Sequence, residues 1–148
     1  MLSFFEISFL CRCNKEVMLN ILVVDDIFSN RLLLARLINS TGNEVIEANN
    51  GEEAIDVLKS RQVDLVFMDI EMPVMNGIET TNYIRQELSY PKNAVPIIAL
   101  TAHNPRLFFE DYEDVGFDEL MTKPYSIEKI KEKIKLLSGD TWQNEQND

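Results

Sequence analysis

The stretch Asp64-Leu65-Val66-Phe67-Met68-Asp69-Ile70-Glu71-Met72-Pro73-Val74-Met75-Asn76-Gly77 decides how this chain folds. Leu65 to Met68 is an apolar run short enough for one strand buried on both faces. Asp69 stands where that strand should end, and Met72-Pro73 and Asn76-Gly77 punctuate a loop after it. A carboxylate at the mouth of a buried strand is costly unless something charged meets it.

Working outward, the same strand-then-helix pattern recurs. Leu19 to Val24 is a β-branched-rich run ending in Asp25-Asp26. Ile27 to Ser40 has helical spacing, with Ile27, Arg31, Leu34 and Ile38 on one side and Leu33 and Leu37 widening the stripe. Thr41-Gly42-Asn43 stops it, and Glu44 to Ala48 is a short second strand. Asn50 caps a helix over Gly51 to Ser60, with Glu53 in the capping-box position. The third strand is Val63 to Met68 and the third helix Ile78 to Leu88. Val95 to Leu100 is the fourth strand, Pro96 being tolerated near its start. Asn104-Pro105 opens a fourth helix that ends before Gly116. Asp118 to Met121 is a fifth strand, and Ser126 caps a last helix over Ile127 to Leu137.

Short buried strands alternating with amphipathic helices imply an α/β fold, a doubly wound five-stranded parallel sheet with five helices. Its 148 residues suit one domain, with residues 1–17 as an N-terminal extension, 18–138 as the domain and 139–148 as a polar tail. The extension fits both a strand and a helix pattern, and Met18 is a candidate translation start. Its apolar part falls short of the ~20 residues of a membrane helix and lacks a basic front and cleavage site. The tail reads as disordered.

A net charge of −11 argues against nucleic acid or an anionic membrane as partner, since phosphate contacts need Lys and Arg. Cys11 and Cys13 are spaced too closely for a zinc knuckle and read as free thiols in a reducing cytoplasm.

In a parallel sheet of this kind ligands sit beyond the carboxyl ends of the strands. The residues there are Asp25, Asp26, Asp69, Thr101 and Lys123. Converging carboxylates raise one another's pKa unless a cation intervenes, and Mg²⁺ suits an open all-oxygen site. Taken alone, Asp25-Asp26 reads sooner as a helix cap with a favourable charge; together with Asp69 at another strand end, the metal reading prevails. Lys123-Pro124 supplies a point charge for a phosphate, and Thr101-Ala102 a hydroxyl followed by a small residue.

This set of strand-end motifs, Asp25-Asp26, Asp69 within MDIEMPVMNG, Thr101-Ala102 and Lys123-Pro124, resembles the receiver domain of bacterial two-component response regulators. The resemblance spans residues 19–138 and implies a flavodoxin-like strand order of 2-1-3-4-5. It implies that Asp69 is the phosphoacceptor for a phosphohistidine of a sensor histidine kinase or histidine phosphotransfer protein. Asp26, Asp69 and the backbone carbonyl of Glu71 would hold Mg²⁺, with Asp25 acting largely through water. Lys123 and Thr101 would contact the phosphoryl oxygens. The protein would be a stoichiometric phosphoacceptor, not an enzyme, with at most slow self-dephosphorylation.

At Leu120, three residues before Lys123, many receivers carry Tyr or Phe, so an aromatic switch driven by Thr101 is in question and Leu120 reads as a core residue. Glu71 and His103 flank the path of a water to the phosphoryl group; they would tune its lifetime or be plain loop residues. His103 is the only histidine, so no separate kinase or phosphotransfer domain is expected in these residues. Output is expected through protein contact at the face of the fourth helix, fifth strand and fifth helix, near Phe108, Phe109, Tyr112 and Tyr125. Homodimerisation is open. Three rivals stand beside the stand-alone receiver: a receiver of a hybrid kinase, a Mg²⁺-dependent phosphatase with an aspartyl nucleophile, and a phosphorylation-independent interaction module.

Overall fold

The computed structural model describes residues 17–102 and 110–138. Residues 1–16, the expected tail, and the Asn104-Pro105 helix start with His103, Phe108 and Phe109 lie outside the described residues. The strands are β1 (Asn20–Val24), β2 (Glu44–Ala48), β3 (Leu65–Asp69), β4 (Ile97–Thr101) and β5 (Glu119–Thr122). They form one parallel sheet in the order β2-β1-β3-β4-β5, the doubly wound arrangement expected. The helices are α1 (Phe28–Asn39), α2 (Gly51–Ser60), α3 (Gly77–Glu87) and the C-terminal helix (Ile127–Leu137), with a further helical piece at residues 110–112.

The two cores follow from the two-residue period of a strand. Leu22, Val24, Val66, Met68 and Ile97 face α2 and α3, packing on Ala54, Ile55, Leu58 and Ile84. Their neighbours Ile21, Val23, Leu65, Phe67, Ile98 and Leu100 face the other way, onto Leu34, Ile38, Ile130 and Ile134. Every residue of β3 and β4 is buried, as a central strand covered on both sides requires.

Caps set three helix starts. Asn50, Asn76 and Ser126 accept from the backbone N–H groups of Glu53, Glu79 and Lys129. Helix α1 differs: its N-cap is Ile27, with no side-chain cap, so Asp25-Asp26 is not the capping pair. The expected stripe of α1 is also corrected. Ile27 and Leu33 are about half exposed while Ala35 turns inward beside Arg31, Leu34 and Ile38: Ile27 is the N-cap, outside the helix, and the buried face runs through positions 31, 34, 35 and 38, which leaves Leu33 off it.

Far from the carboxyl edge, Arg85 of α3 joins the opposite ends of β4 and β5. Its guanidinium donates to the carbonyls of Asn93, Val95 and Gly116 and to Asp118 Oδ2, at 2.7–3.0 Å. Asp118 Oδ2 also accepts from the N–H of Ile97, at 2.8 Å.

Candidate functional site

Parallel register brings the strand ends together. Val24 pairs with Met68, Asp69 with Leu100, and Thr101 with Thr122. Asp69 and Thr101 are the last residues of their strands, where they were expected just beyond them. The backbone N–H of Lys123 donates to the Thr101 carbonyl at 3.0 Å, extending the ladder one residue past β5.

Asp25, Asp26 and Asp69 each offer a carboxylate oxygen within 4.8 Å of the others. Asp25 and Asp69 are almost wholly buried, 1% and 4% exposed, whereas Asp26 is exposed. Asp25 Oδ1 accepts from the Ile27 N–H at 2.9 Å. Its Oδ2 is buried without a hydrogen-bond partner among the described residues. Lys123 Nζ stands 3.7 Å from Asp69 Oδ1.

The electrostatics follow. Burial, then the nearby Asp25 charge, pushes Asp69 up to about 6, opposed by Lys123 and by the backbone N–H of Glu71. Burial likewise raises Asp25, against the Ile27 hydrogen bond and Lys123. Two raised carboxyls and one orphaned carboxylate oxygen fit a hard divalent cation with oxygen ligands. The donors present are all oxygens, so the site suits Mg²⁺ better than a softer metal.

The loop after Asp69 is shaped by close approaches. A Cβ on Gly77 would lie 2.2 Å from the Asp69 carbonyl oxygen, so only glycine lets α3 begin there. Pro73-Val74-Met75 forms a three-residue turn, with the Met75 N–H on the Pro73 carbonyl at 2.8 Å and Val74 at φ 70°. Beside it lies a cavity of about 510 Å³ lined by Ile70, Glu71, Met72, Asn76, Thr101 and Tyr112, among others. Glu71, which lines it, and Ala102, next to Thr101, are both exposed.

Leu120 is 7% exposed and clusters with Ile70 and Ala99, with Ile78, Tyr112 and Phe117 packed around them. It is a core residue of β5. Two residues that the sequence placed elsewhere, Arg31 on a helix stripe and Tyr125 near the output face, also border the site. Arg31, taken as one member of an apolar stripe, is 9% exposed and bonds to the Asp25 carbonyl. Tyr125 has a buried hydroxyl with no partner among the described residues, and its pKa is raised by burial and by Asp25 and Asp69. An arginine within an apolar helical repeat was the available signal for the first, and a place two residues after Lys123 for the second.

The sheet order and the acid-and-lysine cleft together define a flavodoxin-like α/β domain of the signal-receiver class. A sequence profile of the response regulator receiver domain matches residues 21–135, and the chain belongs to that family. It is 32% identical over 123 residues to the polar-differentiation response regulator DivK of Brucella anthropi, covering 82% of this chain and 97% of DivK. It is 38% identical over 114 residues to the CAI-1 autoinducer sensor kinase/phosphatase CqsS of Vibrio cholerae, covering 77% of this chain but only 16% of CqsS. Among solved structures, the response regulator TrrA of Thermotoga maritima, in complex with Mg²⁺-BeF, aligns at TM-score 0.71 and 38% identity, over 81% of this chain and 99% of that one. No helix among the described residues is long and apolar enough to cross a membrane.

Proposed function

We propose that this protein is a stand-alone response regulator in which Asp69 accepts a phosphoryl group from a phosphohistidine of a sensor histidine kinase or histidine phosphotransfer protein. The carrying observation is the 3.7 Å pair of Lys123 Nζ and Asp69 Oδ1 inside a cluster of three carboxylates. An Asp69 oxygen attacks phosphorus, the phosphorus–nitrogen bond breaks, and the imidazole nitrogen takes the electron pair. Such transfer depends on alignment and charge neutralisation, with little covalent help.

Asp25, Asp26, Asp69 and the Glu71 carbonyl would hold Mg²⁺, which supplies neutralising charge for the incoming phosphoryl oxygens. Lys123 adds a second cation and Thr101 a hydroxyl donor, while His103 and Glu71 tune the lifetime of the product. The added charge of roughly −1.5 to −2 draws Thr101 toward the new oxygens and shifts the face of β5 and the C-terminal helix, where a downstream protein or a second copy binds. Leu120 transmits that shift as a packed core residue. A cytoplasmic setting is part of the same proposal.

Alignment across 97% of DivK supports the stand-alone form; the match inside CqsS supports a hybrid-kinase receiver as the second reading. Titration with beryllofluoride and Mg²⁺ tests the site. Saturable binding that vanishes in Asp69→Asn is expected. Absence of binding would point to a phosphorylation-independent interaction module, and multiple turnover of a phosphomonoester to a phosphatase.

A further inference from the structure

Arg31 sits in the first turns of α1, 9% exposed, beneath the acid pair. A buried guanidinium is costly unless its N–H groups are matched. Here Nη1 donates to the Asp25 carbonyl at 2.8 Å and Nε to Glu47 Oε1 at 3.1 Å. The Phe28 ring covers it, 5.5 Å from its centroid.

The Asp25 backbone is thereby held on both sides. Its N–H donates to the Ala48 carbonyl at 3.2 Å, at the end of β2, and its carbonyl accepts from Arg31. That carbonyl belongs to the peptide joining Asp25 to Asp26. Its orientation determines where the exposed Asp26 carboxylate leaves the chain.

We infer that Arg31 is a positioning residue for divalent-cation binding: by clamping the Asp25–Asp26 peptide to the end of β2 it aims Asp26 at the ion. The inference rests on the Mg²⁺ reading of the site. It makes a prediction opposite in sign to simple electrostatics. A cation removed from an acidic pocket should tighten Mg²⁺ binding, whereas a lost clamp should loosen it. Outer partners of metal ligands typically change affinity by about 10–100-fold.

The test is calorimetric titration of the full chain with Mg²⁺ at fixed ionic strength, alongside thermal melts without the ion. Arg31→Met should weaken Mg²⁺ about tenfold. Arg31→Lys, which keeps the charge but cannot reach both acceptors, should weaken it by roughly threefold. Glu47→Gln, which leaves the Asp25 bond in place, should stay within about twofold. At saturating Mg²⁺, beryllofluoride binding in Arg31→Met should match the wild type, because the clamp acts through the ion. A folded Arg31→Met that binds Mg²⁺ as tightly as the wild type, or more tightly, overturns the inference. If that variant does not fold, an Arg31→Lys affinity equal to the wild type does the same. A wild type that binds no Mg²⁺ overturns the reading of the site itself and the inference with it.

Discussion

Lys123 Nζ lies 3.7 Å from Asp69 Oδ1, inside ion-pair range but beyond a close hydrogen bond. In the proposed transfer, that spacing would let Lys123 meet a phosphoryl oxygen while an Asp69 oxygen meets the phosphorus. Replacing Lys123 with Ala removes the cation that opposes the rise of Asp69. Phosphorylation from a small-molecule donor such as acetyl phosphate should fall by on the order of a hundredfold, read by mass spectrometry of the acyl phosphate.

Asp69 also makes the fold pH-sensitive. Its carboxyl is raised from the ordinary 3.8 to about 6, so between those values the folded state holds the proton more tightly than the unfolded chain. Stability from this group is full below about pH 4 and is lost as pH rises through about 6. Asp69→Asn should therefore stabilise the metal-free protein near pH 7.5 by on the order of 2 kcal/mol, and by almost nothing below about pH 4. Urea midpoints at the two pH values check the sign.

Gly77→Ala puts a Cβ 2.2 Å from the Asp69 carbonyl oxygen and 2.9 Å from Ile70 Cα. Backbone must move, and the backbone that moves carries Asp69, the proposed phosphoacceptor. A loss of about 1–3 kcal/mol is expected in denaturant titrations, together with weakened Mg²⁺ binding.

Tyr125→Phe should do the reverse. Its hydroxyl is buried without a partner among the described residues, and an unmatched buried hydroxyl costs about 1–3 kcal/mol. Its removal should raise the melting temperature by a few degrees, with the ring's packing on the core unchanged. A lower melting temperature would show that the hydroxyl is satisfied in solution.

The site was legible because it is local. Asp25-Asp26, Asp69 and Thr101 each follow an apolar run and Lys123 a short strand, and strand ends in a parallel sheet converge whatever the side chains. The sheet was legible for the same reason, since β3 and β4 are apolar along nearly their whole length. Arg31 was read onto the buried side of α1, where it lies, but only the approach of β2 shows which acceptors it meets there. Gly77 read as turn punctuation; that it clears the Asp69 carbonyl depends on how α3 docks. Leu33 and Ile27 fit the stripe by count, but Ile27 precedes the helix as its N-cap and Leu33 lies off the face that docks on the sheet.

Arg85 divides the molecule into two mechanical ends. Every one of its N–H-bearing nitrogens is engaged with the chain near the starts of β4 and β5. That end is tied down, so a displacement of Thr101 in the proposed switch is expected to turn β5 about it, with little sliding. In amide exchange, Ile97 and Asp118 should keep their protection whether or not Asp69 carries a phosphoryl mimic, while Thr122 and Lys123 should not.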